Sequence, residues 1–136
     1  MDAFEKQLLL LVEDSPDDVF LTQRALEKAE VPNPVQVVSD GQEAIAYLKG
    51  EGPFSDRAKY PLPIVVLLDL NMPRISGEEL YRRVQASCKG APIVLSSGAD
   101  EPRLEESARA WQAVGFLHKP FSLGALANAV RHALDE

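Results

Sequence analysis

The feature that most constrains this chain is the run Ile64-Val65-Val66-Leu67-Leu68, which begins just after Pro63 and ends in Asp69. Five consecutive apolar residues, three of them β-branched, are too few for a buried helix and suit a strand covered on both faces. Leu8 to Val12 is a second such run, and it too ends in acids, Glu13 and Asp14. Val35–Val38, Ile93–Leu95 and Phe116–Leu117 read as three shorter strands. Helical spacing fills the intervals. Leu21, Ala25, Leu26 and Ala29 follow the start signal Ser15-Pro16-Asp17-Asp18 and run to Glu30. Ala44, Ile45 and Leu48 mark a helix from about Gln42 to Lys49, and Leu80 and Val84 one over Glu78–Ser87. Leu104, Ala108 and Trp111 predict a fourth helix from Asp100 to about Ala113. The fifth, capped by Ser122, places Leu126, Ala129, Val130 and Ala133 on its core side. Alternating strands and helices predict an α/β fold: a five-stranded parallel sheet between two layers of helices.

At 136 residues the chain suits one domain, expected to span 1–136 with no output domain attached. A formal net charge of −7 argues against a nucleic-acid surface. There is no apolar run of membrane-spanning length and no basic leader, so a cytoplasmic, membrane-free protein is expected. Cys88, the only cysteine, excludes a disulfide within the chain and a thiolate metal cluster, and reads as an incidental, partly buried thiol. The connection from Gly50 to Pro61 is long for an αβ loop. It is expected to be a solvated insertion pinned to the surface by Phe54 and Tyr60.

Polar groups recur at the carboxyl ends of the predicted strands: Glu13 and Asp14, Asp69, Ser96 and Lys119. Ligands of open α/β sheets sit at that edge. Asp69 taken alone would pass for a turn or capping residue, and a lone Lys facing acids for a structural ion pair. The recurrence at four strand ends favours a site. Clustered carboxylates repel one another and ionise fully only beside a cation. A set of oxygen donors without His or Cys suits Mg²⁺ better than Zn²⁺. His118 is set aside as a surface residue, because strand alternation turns it away from the face of Lys119. A Lys, a hydroxyl and a metal converging on one carboxylate would cradle a phosphoryl group bound to it.

Glu13-Asp14, Asp69-Leu70-Asn71-Met72-Pro73 with Gly77, Leu95-Ser96, Phe116 and Lys119-Pro120 resemble, in order and along the whole chain, the receiver domain of two-component response regulators. The resemblance implies a flavodoxin-like, doubly wound (βα)5 sandwich with strand order 2-1-3-4-5. It implies a phosphoprotein signalling switch, not an enzyme beyond its own phosphoryl transfer and aspartyl-phosphate hydrolysis. Asp69 would be the phosphoacceptor. Mg²⁺ would be bound by Asp14, Asp69 and the carbonyl of Asn71, with Glu13 acting mainly through water. Ser96 and Lys119 would stabilise the phosphoryl group, and Ser96 and Phe116 would form the switch. The implied partners are a histidine kinase or phosphotransfer protein. The surface of the fourth helix, fifth strand and fifth helix would serve as output face, for a target or for a homodimer. Trp111, on that face, reads equally as core or as contact residue. The Lys119-Pro120 peptide is often cis in this family. Gln112-Ala113 stands where the family has Gly-Ala, with Gly115 displaced to just before Phe116. The Gly50–Pro61 insertion and the Val12–Asp18 start resemble the single-domain regulators that accompany bacterial phytochrome kinases.

Two enzyme or ligand-binding classes fit less well. A dehalogenase-type phosphatase needs a second acid two residues after its nucleophile, and Asn71 stands there. A nucleotide-binding module needs a glycine-rich loop after the first strand, where Glu13 and Asp14 would repel phosphates. A degenerate receiver acting only as an interaction module would have lost Asp69, Asp14 or Lys119, and all three are present.

Overall fold

The computed structural model describes residues 7–70, 76–88, 90–97, 115–119 and 121–134. Within them the order is β1 (Leu9–Val12), α1 (Pro16–Lys28), β2 (Val35–Val38), α2 (Gly41–Lys49), a 3₁₀ turn (Gly52–Phe54), β3 (Val65–Asp69), α3 (Gly77–Ser87), β4 (Ile93–Ser97), β5 (Gly115–His118) and α4 (Leu123–Leu134). The helix predicted from Asp100 to Ala113, with Trp111 and Gln112, lies outside the described residues, as do Asn71, Pro120 and the side chain of His118. Helix α4 is therefore the one the sequence pattern counts as fifth.

All strand pairs are parallel, in the order β2-β1-β3-β4-β5. The expected flavodoxin-like order is the one observed. Every residue of β1 and β3 is buried, as their unbroken apolar runs require of strands covered on both sides. Strand alternation then divides the core. Leu9, Leu11, Val65, Leu67, Val94 and Leu117 pack with Leu26 of α1 and Leu126 and Val130 of α4. Leu10, Val12, Val66, Leu68 and Leu95 pack with Tyr47 and Leu48 of α2 and Leu80 and Val84 of α3. Phe116, opposite Leu95, lies partly buried against this second layer.

The helices start and stop where their caps dictate. Ser15, Asp40, Ser76 and Ser122 each accept a hydrogen bond from the backbone N–H three residues on. Ser76 was not foreseen as a cap, and it starts α3 at Gly77. Helix α1 ends at Lys28 rather than Glu30. There Glu30 adopts a left-handed φ of 59°, its N–H bonds to Glu27 O, and Val31 N–H reaches back to Leu26 O. That is a Schellman stop with Glu in the place glycine usually takes.

One residue of the apolar pattern in α1 lies off its buried face. Leu21 is 61% exposed beside exposed Phe20, and Thr22 takes the buried position. With Leu26 facing the sheet, the residue one turn back on the same row is Thr22, and Leu21 is rotated about 100° away.

The 50–61 connection is also better anchored than a solvated insertion. Phe54 is buried, and the rings of Tyr47, Phe54 and Tyr60 form a cluster with centroids 5.1, 5.2 and 6.1 Å apart. The Tyr47 hydroxyl donates to Pro61 O at 2.7 Å. Arg57 donates to Tyr47 O, Leu48 O and Tyr60 O, satisfying carbonyls at the end of α2 where Gly50 turns with φ 71°. The pinning by Phe54 and Tyr60 is present. The guanidinium clamp adds to it.

Candidate phosphoacceptor site

Register brings the polar strand ends together. Leu68 lies beside Val12, so the next residues, Glu13 and Asp69, emerge from neighbouring strands. Asp69 pairs with Ser96, and Leu70 N–H donates to Ser96 O at 2.8 Å. Lys119 follows β5, its backbone N–H bonded to Ser97 O at 2.9 Å. Glu13 and Asp69 are almost fully buried, at 2% and 3% exposure, and Asp14 is exposed. Oxygens of these three carboxylates lie within 4.8 Å of one another, the spacing of a cation site.

Lys119 is the ammonium described at this edge. Its Nζ pairs with Glu13 Oε1, lies 3.1 Å from Asp18 Oδ2 and 3.5 Å from Asp69 Oδ2. Glu13 Oε2 accepts from Ser15 N–H at 3.3 Å, tying the site to the start of α1. A small cleft beside these groups is lined by Glu13, Thr22, Ser96, Lys119 and Phe121.

The electrostatics follow from this crowding. Burial, helped by the hydrogen bond and negative charge of Asp69, raises the Glu13 carboxyl to about 7 despite the opposing pull of Lys119. Burial alone would lower the Lys119 ammonium, but Glu13, Asp69 and Asp18 outweigh it and raise it above the usual lysine value. Three close carboxylates against one ammonium leave excess negative charge. The all-oxygen donor set, one member of it exposed, suits a hard divalent cation that keeps several waters.

The structure therefore brings together Glu13, Asp14, Asp69, Ser96 and Lys119 of the predicted residues. Phe116 stands on the opposite face of the sheet, and Asn71 falls outside the described residues. Asp18 was missed. In sequence it looks like an ordinary first-turn acid favourable to the helix dipole. The available signal was its i, i+4 alignment with Thr22 and Leu26, the row of α1 that faces the sheet.

Comparison with known proteins agrees with this fold. The family model for the response regulator receiver domain matches residues 9–131. Response regulator Rcp1 of Synechocystis is 32% identical over 91 residues, 65% of this chain and 60% of Rcp1. The chain thus spans less than two thirds of that relative. Among solved structures, the bacteriophytochrome response regulator AtBRR is 33% identical with a TM-score of 0.78, covering 95% of this chain and 93% of its own. RtBRR, also a bacteriophytochrome response regulator, is 32% identical with a TM-score of 0.80, covering 93% and 77%. The Mn²⁺-bound form of Rcp1 aligns with a TM-score of 0.74 at 27% identity, covering 92% and 89%. With its strand order, its acidic edge and a family match over nearly its whole length, this chain belongs to the response regulator receiver domain family and is similar to bacteriophytochrome response regulators.

Proposed function

We propose that the chain is a phosphoacceptor switch in which Asp69 takes a phosphoryl group from the phosphohistidine of a kinase or phosphotransfer protein. The observation that carries this is the placement of Asp69: buried at the end of the central strand, among two further acids, with the Lys119 ammonium 3.5 Å away. An Asp69 carboxylate oxygen would attack phosphorus, the P–N bond would break, and the electron pair would leave with the imidazole. Such transfer demands positioning and charge neutralisation more than covalent chemistry from the protein. Asp14, Asp69, the carbonyl of Asn71 and, through water, Glu13 would hold Mg²⁺, which supplies neutralisation of the charge on acceptor and phosphoryl group. The fit of the acidic cluster and the metal-bound form of Rcp1 both support this assignment.

Lys119 would pair with the phosphoryl oxygens, and Ser96, level with Asp69 on the neighbouring strand, would donate its hydroxyl. Phe116, on the other face of the sheet, is not positioned to fill space left by Ser96; movement of Ser96 toward Asp69 would instead alter the output face formed by β5 and α4. That face is the proposed site for a target or a second copy. The likeness to phytochrome regulators makes a light-sensing histidine kinase the first donor to try. Incubation with a labelled phosphohistidine donor and Mg²⁺ should load one phosphoryl group per wild-type chain and none on Asp69→Asn. Equal loading of Asp69→Asn would eliminate Asp69 as acceptor.

A further inference from the structure

Within the site, one contact has no place in the chemistry so far assigned: Lys119 Nζ lies closer to Asp18 Oδ2, at 3.1 Å, than to Asp69 Oδ2, at 3.5 Å. We propose that Asp18 is a positioning residue that restrains the Lys119 ammonium in the resting protein and competes for it with the phosphoryl group on Asp69. The inference rests on Asp69 being the phosphoacceptor.

Both partners are held from their backbones. Asp18 sits in the first turn of α1 with its N–H on the Ser15 cap, and Lys119 N–H is fixed on Ser97 O. The Lys119 side chain is only 14% exposed, whereas that of Asp18 is 39% exposed. An ammonium offers three hydrogens, and three carboxylates surround this one: Glu13, Asp18 and Asp69. Glu13 and Asp69 belong to the cluster that a cation can neutralise, and Asp18 does not. Metal binding therefore weakens the hold of Glu13 and Asp69 on Lys119 and leaves the hold of Asp18 intact. A phosphoryl group on Asp69 must then draw the ammonium away from Asp18, and Asp18 opposes that step. Asp17 provides a matched control. It is a neighbouring acid in the same turn of α1, with the same charge and no hydrogen bond or ion pair to Lys119 among those described.

Beryllofluoride, a mimic of the aspartyl phosphate, tests the competition at saturating Mg²⁺. Asp18→Asn should bind it about two- to fivefold more tightly than wild type, the range expected for a partly exposed ion pair. Asp17→Asn should bind as wild type does. The Lys119 ε-methylene NMR signal, assigned from a Lys119→Arg variant, should move in resting Asp18→Asn, and in wild type when beryllofluoride binds. Unchanged or weaker binding by Asp18→Asn, an equal gain in Asp17→Asn, or a Lys119 signal indifferent to Asp18 would overturn the role of Asp18 while leaving the phosphoacceptor intact. A wild-type protein that binds no beryllofluoride with Mg²⁺ present would overturn both.

Discussion

Replacing Glu13 by Gln should stabilise the metal-free protein, although Glu13 pairs with Lys119. The carboxyl is buried, accepts from Ser15 N–H, and is raised from its ordinary 4.5 to about 7 by burial and by Asp69. That displacement corresponds to about 3 kcal/mol against the ionised form in the folded state, with the attraction of Lys119 already included. Between pH 4.5 and 7 the folded protein binds more protons than the unfolded chain. The stability that goes with the bound proton is therefore complete below about pH 4.5 and lost as pH rises toward and through 7. Gln keeps the acceptor for Ser15 and carries no charge, so Asp69 and burial no longer act against it. In urea melts followed by circular dichroism with a chelator present, Glu13→Gln should gain about 2–3 kcal/mol at pH 8 and under about 1 kcal/mol at pH 5. Mg²⁺ should narrow the difference at pH 8, because the cation stabilises the ionised Glu13 of the wild type and offers the variant less. If Glu13→Gln were no more stable than wild type at pH 8, or gained equally at both pH values, the excess negative charge inferred for this site would be wrong.

Three further outcomes are expected. Asp14→Ala should weaken Mg²⁺ affinity at least about tenfold, roughly 1.4 kcal/mol, with the metal-free melt unimpaired, because Asp14 is exposed and contributes to the acidic cluster rather than to packing; isothermal titration measures it. Glu30→Gly should stabilise by about 1 kcal/mol, since Glu30 holds φ 59° in a helix stop where a side chain is strained, and thermal melts will register it. Arg57→Ala should cost about 1–3 kcal/mol and speed hydrogen exchange in α2, through loss of the clamp on Tyr47 O, Leu48 O and Tyr60 O.

The fold was legible because its dominant signal is local. Ile64–Leu68 and Leu8–Val12 admit little besides strands buried on both faces, and Ser15 and Ser122 mark helix starts by side-chain chemistry alone. Boundaries failed where backbone conformation decided them. Nothing in Glu30 announces a left-handed residue, so α1 was drawn two residues too long. The apolar pattern of α1 misleads at Leu21 for another reason. Leu21 is hydrophobic but lies off the row through Thr22 and Leu26, and that angular phase decides which residues of α1 are buried. The insertion hid its main anchor because an arginine that caps carbonyls of a preceding helix looks, in sequence, like any solvated charge.

The site divides along the same line. Glu13, Asp14, Asp69, Ser96 and Lys119 could be placed on one edge because each lies at or just beyond the carboxyl end of a strand, and parallel strands deliver those ends to the same side. Asp18 reaches that edge from a helix. Its arrival depends on how α1 is rotated over β1 and β3, a tertiary property with no local signature except the phase of the Thr22 row. The same dependence explains the charge state of Glu13. An acid at a strand end is expected to be ionised and to favour a cation, but only the burial of Glu13 between Asp69 and the start of α1 keeps its carboxyl near neutrality in pH. A metal arriving at this edge at pH 6 must therefore displace a proton as well as water, and its affinity should climb with pH until Glu13 is fully ionised, above about 7.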